Sequence, residues 1–259
     1  MKLLLKFTLT LLLLAVSHVC FMQPVDTAVV YNYTKRPLDG HPELQSLIKS
    51  DKSRQFIAPL CLLSSGLLML SNDLLDRHDV KTFVSKEFRG YHHNMDNYLQ
   101  YSPIAAAYLI DLVGYRSKNT FIEKSIILAE AELMMLAVVT GLKQVTHVLR
   151  PDGSDYLSFP SGHTAQAFVA ASFLAHEYGK KSPWIAVTGY TVATVTGCMR
   201  IMNNKHWFSD VLFGAGIGIL CTNIAYMTHR YEWTKYRAKL ALVPVVGDSS
   251  YGASMYFTF

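Results

Sequence analysis

Residues 158–168 read SFPSGHTAQAF, and they interrupt a chain that otherwise consists of apolar segments joined by short loops. The Pro-Ser-Gly turn is followed by His163, where a new apolar run begins. Such a turn is ordinary at the start of a helix. A helix N-terminus also offers unpaired N–H groups and a positive dipole end to an anion, and Ser161 and Gly162 allow a phosphate to approach closely. Both interpretations are open on this segment alone.

Six apolar segments follow one another from residue 55 onward. The breaks between them carry the Gly, Pro, Asn and Asp residues that end helices, and strand-like alternation is weak. The sequence therefore predicts an all-α fold with a six-helix core over residues 55–230. The predicted helices lie near residues 55–72, 101–116, 120–148, 161–178, 183–201 and 207–229.

The C-terminal segment, residues 231–259, has a different pattern. β-Branched and aromatic residues lie on both sides of GDSSYG, which is typical of a β-hairpin. A single hairpin is only marginally stable by itself. We therefore predict a short C-terminal β-hairpin as an appendage of the helical core.

The N-terminus has the form of a secretory signal. Lys2 and Lys6 precede an apolar run that ends in small residues. We predict a signal peptide over residues 1–22 and an exported polar leader over residues 23–54. An uncleaved anchor helix is the alternative, and the apolar run is short for a full membrane span.

The composition limits the classes of partner and cofactor. The chain is 51% hydrophobic and 17% charged, with a formal net charge of +5. This charge is small and dispersed, without a basic and aromatic alternation, which argues against nucleic acid as a partner. It suits anionic lipids and phosphorylated substrates equally. The four cysteines form no CxxC motif and no Cys/His ligand spacing, so we expect no structural metal.

Two further segments place charged residues within the apolar pattern. KQVTHVLRP, residues 143–151, carries Lys143 and Arg150, whose spacing predicts one face of the third helix, two turns apart. MRIMNNKHWFSD, residues 199–210, carries Arg200 and then His206 and Asp210, whose spacing predicts one face of the sixth helix.

The order of these segments predicts that they meet. In an up-down bundle with short loops, the end of each helix and the start of the next lie at the same end. Three permanent cations around a helix N-terminus make a site for a tetrahedral dianion. Taken singly, Lys143 and Arg150 also fit cations favoured near a helix C-terminus, and Asp210 fits an acid at a helix start. The convergence of all the groups favours the anion site.

The pattern KxxxxxxRP, PSGH and RxxxxxHxxxD over residues 143–210 resembles the three-part signature of the type 2 phosphatidic acid phosphatase superfamily. This group includes bacterial acid phosphatases, membrane lipid phosphatases and vanadate haloperoxidases. The chain departs from the family in two places. Met199 stands where a serine is usual, and the spacer between Pro151 and Pro160 is short. The resemblance implies that the helical core is a six-helix phosphatase bundle.

The resemblance also implies a role for each signature residue. His206 is the expected nucleophile, which forms a phosphohistidine, and Asp210 orients its ring. His163 is expected to protonate the leaving oxygen and then to activate water. The groups expected to bind the phosphoryl oxygens are Lys143, Arg150, Ser161, Gly162 and Arg200. No metal or other cofactor is expected, because fixed cations stabilise the charge of the transition state.

The apolar bundle is similar to bacterial envelope lipid phosphatases, including lipid A phosphatases. This predicts a lipid phosphate substrate, with lipid A, undecaprenyl diphosphate and phosphatidylglycerophosphate as candidates, and contact with membrane lipids. The loops at the active end carry fewer Lys and Arg than the opposite end, which favours an active site facing the periplasm. Because several segments are shorter than the roughly 20 residues of a full span, a soluble periplasmic acid phosphatase is an alternative. The sequence also leaves open a vanadate-dependent haloperoxidase, a phospholipid-binding module and the oligomeric state.

Overall fold

The computed structural model describes residues 54–71 and 77–229 and the backbone of residues 239–247 and 250–258. The predicted signal peptide and all of the predicted leader except Arg54 lie outside the described residues. The chain divides into two compact units, Met1–Ala225 and Tyr226–Phe259, which we describe separately.

The described residues of the first unit are helical, which confirms the all-α prediction for the core. Each of the six predicted segments contains a helix, and two additional helices, α2 and α3, lie in a region that we expected to be a loop. Helix α2 is short and largely polar, with only three apolar residues, and α3 is too short to show a periodicity. The described residues contain eight helices instead of six: α1 Ile57–Ser71, α2 Arg77–Glu87, α3 Asp96–Leu99, α4 Ser102–Leu112, α5 Phe121–Thr146, α6 Gly162–Tyr178, α7 Pro183–Met202 and α8 Phe208–Thr228.

The second unit contains two strands, β1 Lys239–Gly247 and β2 Ser250–Thr258. They pair antiparallel, with Lys239 opposite Thr258 and Gly247 opposite Ser250. The two residues between the strands lie outside the described part of the chain.

Helix α5 has well-defined ends. At its start Thr120 and Glu123 form a capping box, in which each side chain accepts a hydrogen bond from the backbone N–H of the other. At its end His147 has a left-handed backbone conformation, with a φ of 45°. The expectation that Lys143 and Arg150 share a helix face is therefore wrong. Arg150 lies in the loop after the helix and precedes Pro151, which disfavours a helical conformation there.

Helices α6 and α8 are in close contact at the centre of the first unit. Gly214 and Gly218 of α8 face the backbone of α6, and a Cβ atom at Gly214 would lie only 2.6 Å from the carbonyl oxygen of Ser161. A Cβ atom at Gly218 would overlap the carbonyl oxygen of Ala165. Because no side chain separates the two helices, the start of α6 is fixed relative to the start of α8.

Among the described helices, three are long and apolar enough to cross a membrane: α5, α7 and α8. They differ in burial, since 72% of the apolar window of α8 is buried inside the protein but only 22% of that of α5. Large apolar side chains of α5, such as Leu133, Leu136 and Val145, point outward. An exposed apolar surface of this extent is typical of contact with lipid or with a partner protein.

The contact between α6 and α8 gives a prediction for stability. Gly214→Ala should lower the melting temperature, because overpacking a tight contact typically costs about 1–3 kcal/mol. Gly141→Ala on α5 is the matched control, since nothing lies within 4 Å of the added Cβ and alanine is favoured over glycine in a helix by about 1 kcal/mol. Thermal unfolding of the detergent-solubilised chain, followed by circular dichroism, measures both. Equal melting temperatures for the two variants would contradict this account of the contact.

Candidate active site

His206 lies in the loop between α7 and α8, and its side chain is 2% exposed. Its ring Nδ1–H donates a hydrogen bond of 2.8 Å to the backbone carbonyl of Ser158. A carbonyl only accepts, so this bond places the proton on Nδ1 and leaves a lone pair on Nε2. Burial lowers the pKa of His206 to about 4, although Asp210 opposes this effect. The ring is therefore neutral at pH 7 and available as a nucleophile.

Asp210 is buried in the first turn of α8 and organises the backbone around His206. Its Oδ2 accepts hydrogen bonds from the Ser158 hydroxyl at 2.5 Å and from the Trp207 backbone N–H at 2.9 Å. The same oxygen lies 3.6 Å from Nδ1 of His206. Asp210 was expected to orient the ring of His206, but it does not accept the ring N–H itself. The Ser158 carbonyl binds it, and Asp210 holds the residues on both sides.

The start of α6 is bonded to the start of α8. The backbone N–H of Ser161 donates to the carbonyl of Asp210 at 3.0 Å, and the Ser161 hydroxyl pairs with the Thr164 hydroxyl at 2.9 Å. The Ser161 N–H is therefore already used within the protein. Gly162 is the other predicted anion donor in this turn. Its N–H, like that of His163, lies in the first turn of α6, where N–H groups have no hydrogen-bond partner within the helix.

His163 is the second residue of α6 and is partly buried. Its Nε2–H donates a hydrogen bond of 2.7 Å to Oδ1 of Asn97 on α3. Burial, and next the positive charge of Arg200, lower the pKa of His163 to about 4. This ring is therefore also neutral at pH 7, with its lone pair on Nδ1.

The two arginines of the site are both paired with carboxylates. Nη1 of Arg200, in the last turn of α7, donates to Oδ2 of Asp96 at 2.6 Å, and both side chains are buried. Its Nε is buried and has no hydrogen-bond partner among the described residues. Nε of Arg150 donates to Oδ1 of Asp155 at 2.7 Å. Each guanidinium is thereby oriented and keeps further N–H groups for a ligand.

Lys143 lies in the last turn of α5, and its Nζ donates to the backbone carbonyl of Leu157. The charges of Lys143, Arg150 and Arg200 all act on the ring of His163. The predicted convergence of these groups at one end of the bundle is therefore what the structure shows. Within residues 54–71 and 77–229, no cluster of three His, Cys, Asp or Glu side chains is arranged to hold a metal ion.

Four residues of this site were not predicted from the sequence, and one of them is Asp155, the partner of Arg150. Asp96 and Asn97 belong to α3, which is only four residues long, and Ser158 contributes a backbone carbonyl. Asp96 and Asn97 could have been found, because they are adjacent polar residues in a segment at the predicted active end of the bundle. Ser158 could not have been found in this way, because the type of a residue does not show what its backbone carbonyl binds.

The tautomer of His206 can be tested directly. The ¹⁵N chemical shifts of labelled protein in phosphate-free detergent solution should report an Nδ1–H ring at pH 7. Because burial lowers the pKa to about 4, this ring should become protonated well below the pH of about 6.5 at which histidines of the unfolded chain titrate. The signal is assigned by its loss in His206→Gln. A doubly protonated His206 at pH 7 would contradict the geometry described here.

Residues 124–234 match the sequence model of the PAP2 superfamily. Lipid A 1-phosphatase of Porphyromonas gingivalis is 42% identical over 137 residues, which are 52% of this chain and 31% of that protein. Lipid A 4'-phosphatase of Helicobacter pylori is 28% identical over 141 residues, which are 50% of this chain and 66% of that protein. The chain spans less than two thirds of each of these relatives. The family resemblance inferred from the three motifs is confirmed over the matched region.

Two solved structures are also similar. Aquifex aeolicus LpxE is 25% identical, with a TM-score of 0.44, over 56% of this chain and 93% of that chain. A PAP2-type phosphatidylglycerolphosphate phosphatase from Bacillus subtilis is 19% identical, with a TM-score of 0.43, over 65% of this chain and 94% of that chain.

Proposed function

We propose that this chain, whose residues 124–234 match the PAP2 superfamily, is a phosphatase that hydrolyses a lipid phosphate ester through a phosphohistidine intermediate. The observation that carries the proposal is the buried, neutral ring of His206, fixed with its lone pair on Nε2. Arg200, whose Nε has no partner among the described residues, acts on the same ring electrostatically. A nucleophile and a cation in this arrangement suit phosphoryl transfer.

In the first step Nε2 of His206 attacks phosphorus. The N–P bond forms while the bond from phosphorus to the ester oxygen breaks, and the imidazolium form of His163 gives its proton to that oxygen. Burial and the neighbouring cations lower the pKa of His163 to about 4. An arriving phosphate dianion favours the charged form of a nearby histidine, so substrate binding raises this pKa. The products of the step are an alcohol and the phosphohistidine.

In the second step water releases the phosphate. The neutral His163 takes a proton from water as its oxygen attacks phosphorus, and the N–P bond breaks. His206 regains its lone pair, and His163 holds the proton taken from water while the phosphate is bound. Inorganic phosphate leaves with the oxygen of the water molecule.

Fixed cations supply the electrostatic stabilisation in both steps. Lys143, Arg150 and Arg200 approach the site from α5, the following loop and α7. Their charges, together with the first N–H groups of α6, stabilise the phosphoryl oxygens in the transition state. These side chains and backbone N–H groups would stabilise the transition state without a metal ion.

A lipid-borne phosphate is the substrate class that we propose, with lipid A as the first candidate. The outward apolar side chains of α5 and the three helices long enough for a membrane support contact with a bilayer. The two curated relatives are named as lipid A phosphatases. We accordingly propose a membrane-associated protein of the bacterial envelope, with its active site facing the periplasm.

The first test is phosphate release by purified protein and by His206→Ala. The substrates are lipid A, undecaprenyl diphosphate, phosphatidylglycerophosphate and a small soluble phosphomonoester. We expect release from one lipid in preference to the soluble ester, and complete loss in His206→Ala, because no nucleophile remains. His92→Ala, at an exposed histidine before α3, is the matched control and should keep wild-type activity.

Vanadate binding by His206→Ala shows whether an inactive variant is still folded. We expect the variant to bind vanadate, because the cations that hold the anion remain in place. Equal release from the soluble ester would instead identify a nonspecific acid phosphatase. Wild-type turnover by His206→Ala would disprove the assignment of the nucleophile. Peroxide-dependent halogenation in place of hydrolysis would identify a haloperoxidase.

Asp210→Asn tests the support of the nucleophile. The amide keeps one oxygen acceptor but loses the charge that binds the Ser158 hydroxyl and the Trp207 N–H. We expect kcat to fall about 10-fold or more with little change in phosphate affinity, because small displacements of a reacting group are costly. Asp79→Asn, in the first turn of α2, is the control for the same chemical change. An unchanged kcat in Asp210→Asn would remove Asp210 from the mechanism.

A further inference from the structure

Helix α3 and the residues before it are held to the end of α7 by an ion pair and by a pair of hydrogen bonds. The buried carboxylate of Asp96 binds Arg200 at 2.6 Å. The backbone N–H of His93 donates to Oδ1 of Asn203 at 3.2 Å, and Nδ2 of Asn203 donates back to the carbonyl of His93 at 2.8 Å. These contacts fix the position of a segment that is otherwise exposed.

Asn97 follows the buried Asp96 and carries its side chain to His163. Its Oδ1 accepts from Nε2 of the histidine at 2.7 Å. Its own backbone is held in turn, since the N–H donates to the carbonyl of Asn94 at 3.2 Å and the carbonyl accepts from Nε2 of Gln100 at 3.0 Å. The carboxamide is thus presented to the ring by a fixed backbone.

Resting on the proposed function, we infer that Asn97 is a positioning residue for the acid–base histidine of the reaction. It holds the proton of His163 on Nε2, so that Nδ1 is the nitrogen that gives a proton to the leaving oxygen and takes one from water. Asn97 takes no part in bond making. Its contribution is the orientation and the tautomer of the ring.

A neutral acceptor suits this position. The charged groups that act on His163 are Arg200 of α7, Arg150 of the loop after α5, Lys143 of α5 and Asp96 of α3. A carboxylate in place of the Asn97 amide would add a further negative charge at the ring and would favour the imidazolium. The amide fixes the ring without that charge, and the substrate dianion then controls when His163 becomes protonated.

The leaving-group dependence of kcat/KM distinguishes this role from a structural one. The substrates are dodecyl phosphate and a nitrophenyl phosphate that carries the same dodecyl chain. An alkoxide needs a proton as it leaves, whereas an acidic phenol does not, so only the alkyl ester depends on His163 in the phosphorylation step. For Asn97→Ala we expect kcat/KM to fall by on the order of 10-fold to 100-fold on the alkyl ester and to change little on the aryl ester.

Two further variants complete the experiment. Asn97→Asp keeps an acceptor oxygen, so it should restore the alkyl activity while moving the pH profile of kcat/KM upward, because a carboxylate raises the pKa of an adjacent histidine. Asn94→Ala changes another exposed asparagine of the same segment and should behave as wild type on both esters. Equal losses on the two esters in Asn97→Ala, or no loss on either, would overturn the inference while leaving the phosphatase proposal intact.

A measurement without turnover keeps the two proposals separate. The ¹⁵N chemical shifts of His163 should report the Nε2–H tautomer in the wild type and a mixture of tautomers in Asn97→Ala. An unchanged tautomer in the variant would overturn the inference whatever the enzyme hydrolyses. Absence of phosphate release from every ester by the wild type would instead refute the proposed function.

Discussion

The hydrogen bond from the Ser161 N–H to the Asp210 carbonyl joins the beginnings of the two central helices, and the site depends on it. It forms because Gly214 allows α8 to lie directly against the backbone of α6. From the same turn of α8, the Asp210 carboxylate holds the hydroxyl of Ser158, whose carbonyl holds the ring of His206. One close approach of two helices thus positions the proposed nucleophile and, through the start of α6, its acid–base partner.

The two histidines are fixed by neutral acceptors, a backbone carbonyl for His206 and a carboxamide for His163. Neutral acceptors select a tautomer without strongly favouring the charged ring, and burial then keeps both rings uncharged at pH 7. The acceptors bind different nitrogens, so the free lone pairs are on Nε2 of His206 and on Nδ1 of His163. This difference matches the two roles proposed for them, attack on phosphorus and proton transfer.

Much of this arrangement was predictable because the apolar segments are long and their charges fall at their ends. Lys143 in the last turn of α5, Arg200 in the last turn of α7 and His163 in the first turn of α6 follow from that pattern. The position of Arg150 was not predictable in this way, because α5 ends at Thr146, where His147 takes a left-handed backbone conformation. Residue spacing does not reveal such a local conformation. The contribution of α3 was also missed, since a four-residue helix in a polar segment has no periodicity to detect.

The carboxylates beside the arginines have a consequence for the end of the catalytic cycle. Arg200 is bonded to Asp96 and Arg150 to Asp155, so each guanidinium already has a carboxylate partner within the protein. In the proposed reaction, inorganic phosphate leaves two arginines whose charges are compensated, and the electrostatic cost of its departure is correspondingly small. A site of three unpaired cations would hold the phosphate dianion far more tightly and would be inhibited by its own product. The carboxylates of Asp96 and Asp155 would therefore favour release of the product over retention of the anion.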